Sequence, residues 1–296
     1  MYKVIFTLVL AVLSFMGLQA QEFQGMAVYE SKTSTSDFKT RIEGNKNMTP
    51  DMQKMIEERM KKMFEKTFIL NFDKSASIYK EEEKLDAPGQ GGGGMRMMMS
   101  MTGGGGTYYK NVKEKSYTVD KEFMGKEFLV KDSLPNLQWK MEGETRVIGG
   151  YNCFKATAVR PASKTDFRNI RPKREDNTPI KSVDSAKKTS ILDELDMPKE
   201  TVITAWYTPE IPVNQGPENY WGLPGLILEV NDAKTVILCS KVVLNPKVKT
   251  EIKAESKGKV TSQKEFDEIV LKKMEEFREM NQGRGGDGGM RMRIGG

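Results

Sequence analysis

The sequence predicts an α+β domain: a mainly antiparallel, curved β-sheet with two amphipathic helices packed against one face. Two observations carry this expectation. Short runs with period-two alternation recur at close spacing along most of the chain, as half-buried strands require. Only two stretches, 50–66 and 263–280, repeat apolar residues at helical spacing.

The chain opens with one positive charge, Lys3, and an apolar run from Val4 to Met16 that is too short to span a bilayer. Leu18-Gln19-Ala20 follows, with a small residue where a signal peptidase cuts. Residues 1–20 are therefore expected to be a signal peptide, and Gln21 to begin an exported mature chain. No cysteine lies near the cut to carry a lipid. The expected localisation is the periplasm or the outer membrane of a Gram-negative cell. A single β-rich domain is expected over 21–282.

The elements follow in order. Residues 25–31 read as a first strand. Thr49 and Pro50 are an N-cap and first-turn proline for a helix over 50–66. Met52, Met55, Ile56, Met60, Met63 and Phe64 form its apolar stripe, expected to pack on the sheet. Phe68, Leu70 and Phe72 then alternate, and 76–80, 107–109, 116–119 and 127–130 continue as strands. Leu137, Trp139 and Met141 alternate with Gln138, Lys140 and Glu142 and predict another. Gly149-Gly150 turns into 153–159, followed by strands at 202–207, 226–230 and 235–244. Ser262 and Glu265 form a capping box for the last helix, whose stripe is Phe266, Ile269, Val270, Met274 and Phe277. Three stretches do not read as core: a flexible Gly/Met-rich insertion at 87–106, a basic polar insertion at 160–200, and a Gly-rich tail at 283–296.

The composition excludes much chemistry. Histidine is absent, which removes Ser-His-Asp and Cys-His catalysis, imidazole bases and His-ligated zinc or copper. There is no Walker P-loop and no CxxC pair. The glycines at 89–94 have no strand before them and no helix after them, so they read as a linker. No cofactor and no catalytic residue is expected, and nucleic acid is not an expected partner of an exported chain. The sequence does not set the oligomeric state.

Three candidate sites remain. Met95, Met97, Met98, Met99 and Met101 supply thioethers, soft ligands that select Cu(I) without deprotonation, and no supporting outer shell is apparent for them. Cys153 and Cys239 fall on separate predicted strands, where a disulfide and two small buried hydrophobes are equally good readings. Met290, Met292 and Ile294 alternate with Arg291 and Arg293 in the tail, a pattern suited to adding as a strand to a sheet edge or to solvated tail alike.

The stretch Ala205-Trp206-Tyr207-Thr208-Pro209-Glu210-Ile211-Pro212, then Gly216-Pro217 and Gly222-Leu223-Pro224-Gly225-Leu226-Ile227, resembles the GLPGLI family of exported bacterial proteins. Leu137-Gln138-Trp139, the segment 149–156 and the opening at 25–30 fit the same resemblance, which covers most of 25–245. It implies a secreted or periplasmic β-rich protein, encoded near TonB-dependent outer-membrane receptors, with no activity attached. Pro224-Gly225 suits a type II turn, with glycine at positive φ. The aromatics Trp206, Tyr207, Tyr220 and Trp221 either pack under the loop or present Tyr220 and Trp221 as a docking rim.

The resulting expectation is a non-enzymatic binding or accessory protein of the cell envelope, with an outer-membrane receptor or transporter as partner. A periplasmic carrier holding a lipid or lipidated chain in a half-barrel cavity is the alternative. Methionine-based Cu(I) handling is the weaker one.

Overall fold

A computed structural model describes residues 23–36, 49–82, 106–162, 165, 171–172, 195–196 and 199–284. Its elements are β1 (Gly25–Thr33), α1 (Pro50–Phe64), β2 (Glu65–Phe72), β3 (Ala76–Glu81), β4 (Tyr108–Asn111), β5 (Ser116–Phe123) and β6 (Lys126–Ser133). They continue with β7 (Lys140–Ile148), β8 (Tyr151–Pro161), β9 (Arg171–Pro172), β10 (Leu195–Asp196), β11 (Glu200–Thr208), β12 (Leu226–Asp232), β13 (Thr235–Leu244), β14 (Lys259–Thr261) and α2 (Gln263–Arg284).

Twelve strands form one open sheet in the order β14-β6-β5-β4-β3-β2-β1-β13-β12-β11-β8-β7, and β9 and β10 form a separate two-residue ladder. Every pairing in the large sheet is antiparallel except β14 on β6. The α+β expectation holds.

Connectivity forces this sheet to curl. β6 is second in the order and β7 last, ten strand spacings apart, which would be roughly 48 Å across a flat sheet. Yet only residues 134–139 join Ser133 to Lys140, and so short a link spans at most about 25 Å. The two ends of the sheet must therefore approach each other around a filled interior.

That interior has two parts. The larger cluster includes Tyr29, Leu70, Phe72, Tyr79, Ile203, Ala205, Leu226, Leu228 and Val230 from the sheet, with Ile211, Val213, Tyr220 and Leu223 from the β11–β12 loop. The smaller gathers Tyr117, Val119, Phe123, Phe128 and Val130 under Phe266 and Val270 of α2. Phe266 meets Phe123 and Phe128 edge-on, with ring centroids 6.2 and 5.4 Å apart. The capping box forms as expected: Glu265 N–H donates to Ser262 Oγ at 3.2 Å, and Ser262 N–H donates back to Glu265 Oε2 at 2.9 Å.

Two expectations change. Leu137 to Trp139 is not strand, because β7 begins at Lys140. The Leu137 and Trp139 amides instead donate two residues back, to Pro135 O and Leu137 O, each at 3.1 Å. The apolar stripe of α1 is only partly covered by the sheet: Met52 and Met55 are 47% and 43% exposed, while Ile56, Met60 and Phe64 are half-buried. Thr49 does cap α1, accepting from the Met52 amide at 3.3 Å. The helix then runs straight into β2 and borders an open cleft of about 590 Å³ at the ends of β1 and β13.

Candidate functional site: the β11–β12 loop and its buried cradle

The loop over 209–225 leaves β11 and returns to β12 after crossing the sheet interior as far as β3 and β4. Its return is stitched by backbone bonds, Leu226 N–H to Ile211 O at 2.9 Å and Ile227 N–H to Gln215 O at 3.0 Å. Tyr29 on β1 donates its hydroxyl to Ile227 O at 2.6 Å.

The glycines have separate reasons. Gly222 sits at φ +91°, where L side chains are strained. Gly225, expected at positive φ in a type II turn, is not in that region. Its amide donates to Leu223 O at 2.8 Å, closing a three-residue turn about Pro224. Glycine is required there because an added Cβ would lie 2.1 Å from Thr208 O.

The cradle is polar and buried. Lys110, inward on β4 and fully enclosed, donates all three ammonium hydrogens to loop carbonyls: Gly216 O at 2.7 Å, Tyr220 O at 2.9 Å and Glu218 O at 3.1 Å. Burial pushes this ammonium down to about 7, with Glu218 opposing the shift. Ser77 on β3 donates to Gln215 Oε1 at 2.9 Å. The Tyr220 hydroxyl donates to Asp232 Oδ2 at 2.6 Å, and Arg160 pairs with the same oxygen. Burial raises the Tyr220 phenol well above its ordinary value, with Arg160 opposing. Asp232 Oδ1 and Gln215 Nε2 are buried with no hydrogen-bond partner among the described residues.

The indoles close the rim. Trp139 Nε1–H donates to Trp221 O at 2.9 Å, and Trp221 Nε1–H donates to Pro135 O at 2.8 Å. The loop is thus tied to the 134–139 link that bridges the two sheet ends.

The motif residues therefore come together, but as interior. Tyr220 has no exposed surface and Trp221 is half-buried, so Tyr220 is not the docking anchor that an exposed rim requires. Trp206 lies beneath the Arg146 guanidinium, 4.1 Å from ring centroid to Cζ, and Arg146 also pairs with Glu229. Tyr207 packs beside Phe154 with ring centroids 6.1 Å apart. Gly216 is pressed against Ile227, whose Cδ1 would be 2.8 Å from an added Cβ. Pro217, Leu223, Leu226 and Ile227 are buried with it.

Cys153 on β8 and Cys239 on β13 are free thiols, both buried, with β11 and β12 between their strands. Burial raises them to about 11 and about 12; as free, buried thiols they follow the small-hydrophobe reading and not the disulfide. Met95, Met97, Met98, Met99, Met101, Met290, Met292 and Ile294 lie outside the described residues, as do residues 1–20, where a signal peptide is expected, and most of the two insertions. No group of three or more His, Cys, Asp or Glu that could hold a metal occurs among the described residues.

Lys110, Arg160, Asp232, Ser77 and Gln215 are the residues that sequence reasoning missed. Nothing in Tyr-Tyr-Lys-Asn distinguishes an inward lysine, since lysine is almost never fully buried unless paired. Only the arrival of three carbonyls from more than a hundred residues away provides the partner.

In architecture this is an α+β protein whose curled sheet is filled by its own loop. Residues 139–229, which include that loop, match a family described as a protein of unknown function, Porph_ging. No curated protein matches the sequence. Among solved structures, two crystal forms of PNGF-II align at 14% identity and a TM-score of 0.44, covering 84% and 85% of this chain. The chain spans about a third of the length of those structures (33%).

Proposed function

We propose that the protein is an exported, non-enzymatic binding or accessory module of the cell envelope, of the GLPGLI type, serving a TonB-dependent outer-membrane transport system. The observation that supports this over the carrier reading is the filled interior. The space in which a half-barrel would hold cargo is taken by Tyr220, Leu223 and Ile211 of the loop, each no more than 1% exposed. The polar groups beneath the loop point the same way. All three Lys110 hydrogens and the Tyr220 hydroxyl are committed to protein acceptors, which suits a clamp and leaves these donors unavailable for acid–base work on a substrate.

The test is affinity purification of the full chain from solubilised outer membranes, with mass spectrometry of proteins and of extracted lipids. A TonB-dependent receptor recovered in stoichiometric amount is the expected result. A stoichiometric lipid with no such receptor overturns the reading in favour of the carrier. Amino-terminal sequencing of the same material should begin at or beside Gln21, and an intact Met1 would refute export.

A further inference from the structure

Between β13 and β14 the chain carries a pattern that none of the sheet uses. Over 247–259 every odd position is charged: Lys247, Lys249, Glu251, Lys253, Glu255, Lys257 and Lys259. The even positions are Val248, Thr250, Ile252, Ala254, Ser256 and Gly258. Such alternation is that of a strand with one wet face, yet 245–258 belongs to no strand, and among the described residues 251–257 form no backbone–backbone hydrogen bond outside the regular elements.

The segment is nonetheless held at both ends. The Gln24 side chain donates to Thr250 O at 2.8 Å and accepts from the Thr250 amide at 3.2 Å, while the Asn245 amide donates to Gln24 O at 2.7 Å. At the far end Gly258, at φ +102°, presses on the β6 backbone, where an added Cβ would be 2.9 Å from the Phe128 carbonyl carbon.

The seven charged residues are all exposed, while Ile252 and Ala254 between them are half-buried. At its middle the strap therefore leans on the protein through Ile252 and Ala254, and the charged residues look outward. Five lysines against two glutamates leave that face net positive. Lys247, Lys253, Lys257 and Lys259 form no ion pair among the described residues. Val248 and Val260, at the two ends of the row, are 83% and 60% exposed.

We propose that this strap is a membrane-surface contact, laying its lysines on the phosphates of anionic lipid headgroups. Two features favour a bilayer over a folded acidic partner. The charges stand in a row along an exposed segment, and lysines two or four residues apart with two glutamates among them suit headgroups that diffuse to meet them better than one fixed pattern of acidic groups. Juxtamembrane basic residues act additively on such surfaces, and salt screens them. This contact does not depend on the envelope partner proposed above.

The test is co-sedimentation of the full chain with vesicles of equal parts phosphatidylethanolamine and phosphatidylglycerol, against vesicles of phosphatidylcholine alone. The parent chain should bind the anionic vesicles and release them at high salt. Lys253→Gln/Lys257→Gln/Lys259→Gln should weaken partitioning by about a hundredfold, roughly fivefold per lysine. Glu251→Lys/Glu255→Lys should strengthen it, so the proposal can be decided even if the triple variant folds poorly. Equal binding to phosphatidylcholine, no binding at all, or double and triple variants indistinguishable from the parent would each overturn the proposal.

Discussion

The two halves of the interior are closed by different means. Over β5 and β6 the lid is α2, a regular helix that brings Phe266 and Val270 onto an apolar sheet face and caps itself with Ser262 and Glu265. Over β1, β11, β12 and β13 the lid is an irregular loop. Regular helices satisfy their own backbone, whereas a buried loop must find partners for every amide and carbonyl. The structure supplies them from distant strands: Lys110 for three carbonyls, Ser77 for Gln215, and Asp232 for Tyr220. A helix lid is stabilised chiefly by apolar area, and this loop lid depends also on a small number of polar contacts.

If that contrast is right, removing one polar residue under the loop should cost as much as removing a large aromatic under the helix. Lys110→Met keeps the length of the side chain but strands three loop carbonyls, two of them buried, and a buried one costs about 1–3 kcal/mol when unsatisfied. A loss of about 4 kcal/mol or more is expected in urea unfolding followed by tryptophan fluorescence, since Trp221 lies in the loop and Trp139 bonds to it. A loss under about 1 kcal/mol would mean the loop is held by apolar packing alone. The same variant tests the titration. Burial lowers Lys110 to about 7 from 10.5, so in that window the unfolded chain binds the extra proton. Its contribution to stability should therefore rise as pH climbs from 7 towards 10.5, and is least below 7. The difference in stability between parent and Lys110→Met should vary with pH across that window.

Phe266→Ala should cost about 3–4 kcal/mol by cavity formation, measured by the same unfolding curve, with the Lys110-dependent pH slope unchanged. Tyr220→Phe retains the ring and removes only the hydroxyl that Asp232 accepts, for about 1.5–3 kcal/mol, the range of hydrogen bonds to charged groups. Should it prove neutral, Arg160 alone satisfies that oxygen. Ser262→Ala, which removes the N-cap of α2, should cost about 1 kcal/mol, the smallest effect of the series. The check is a melting temperature lowered by only a few degrees.

Much of the fold was legible because its signals are local. Period-two alternation marked β1, β2, β8, β11 and β13 to within a few residues, and the capping box marked the start of α2. The failures are equally physical. Leu137-Gln138-Trp139 alternates as a strand does, yet its indole is claimed by Trp221 O and no neighbouring strand pairs with its backbone. The α1 stripe has the right period but packs on the ends of β1 and β2, so Met52 and Met55 stay open. β14 is three residues long and pairs in parallel with β6, too short for any pattern to announce. At Pro224-Gly225 the turn was recognised and its type was not, because glycine's role there is close approach to Thr208 and not a left-handed backbone.

By itself the sequence determined the α+β class, most strand positions, the last helix and its cap, and the exclusion of histidine chemistry. These depend on side-chain periodicity and residue type, which act over one or two turns of chain. Only the tertiary structure decided that Tyr220 is interior, that Cys153 and Cys239 are free thiols with two strands between them, and that Lys110 is the clamp of the loop. Each of those depends on which segment arrives from across the curled sheet, and the desolvation of a buried lysine is offset only when its three acceptors have come together.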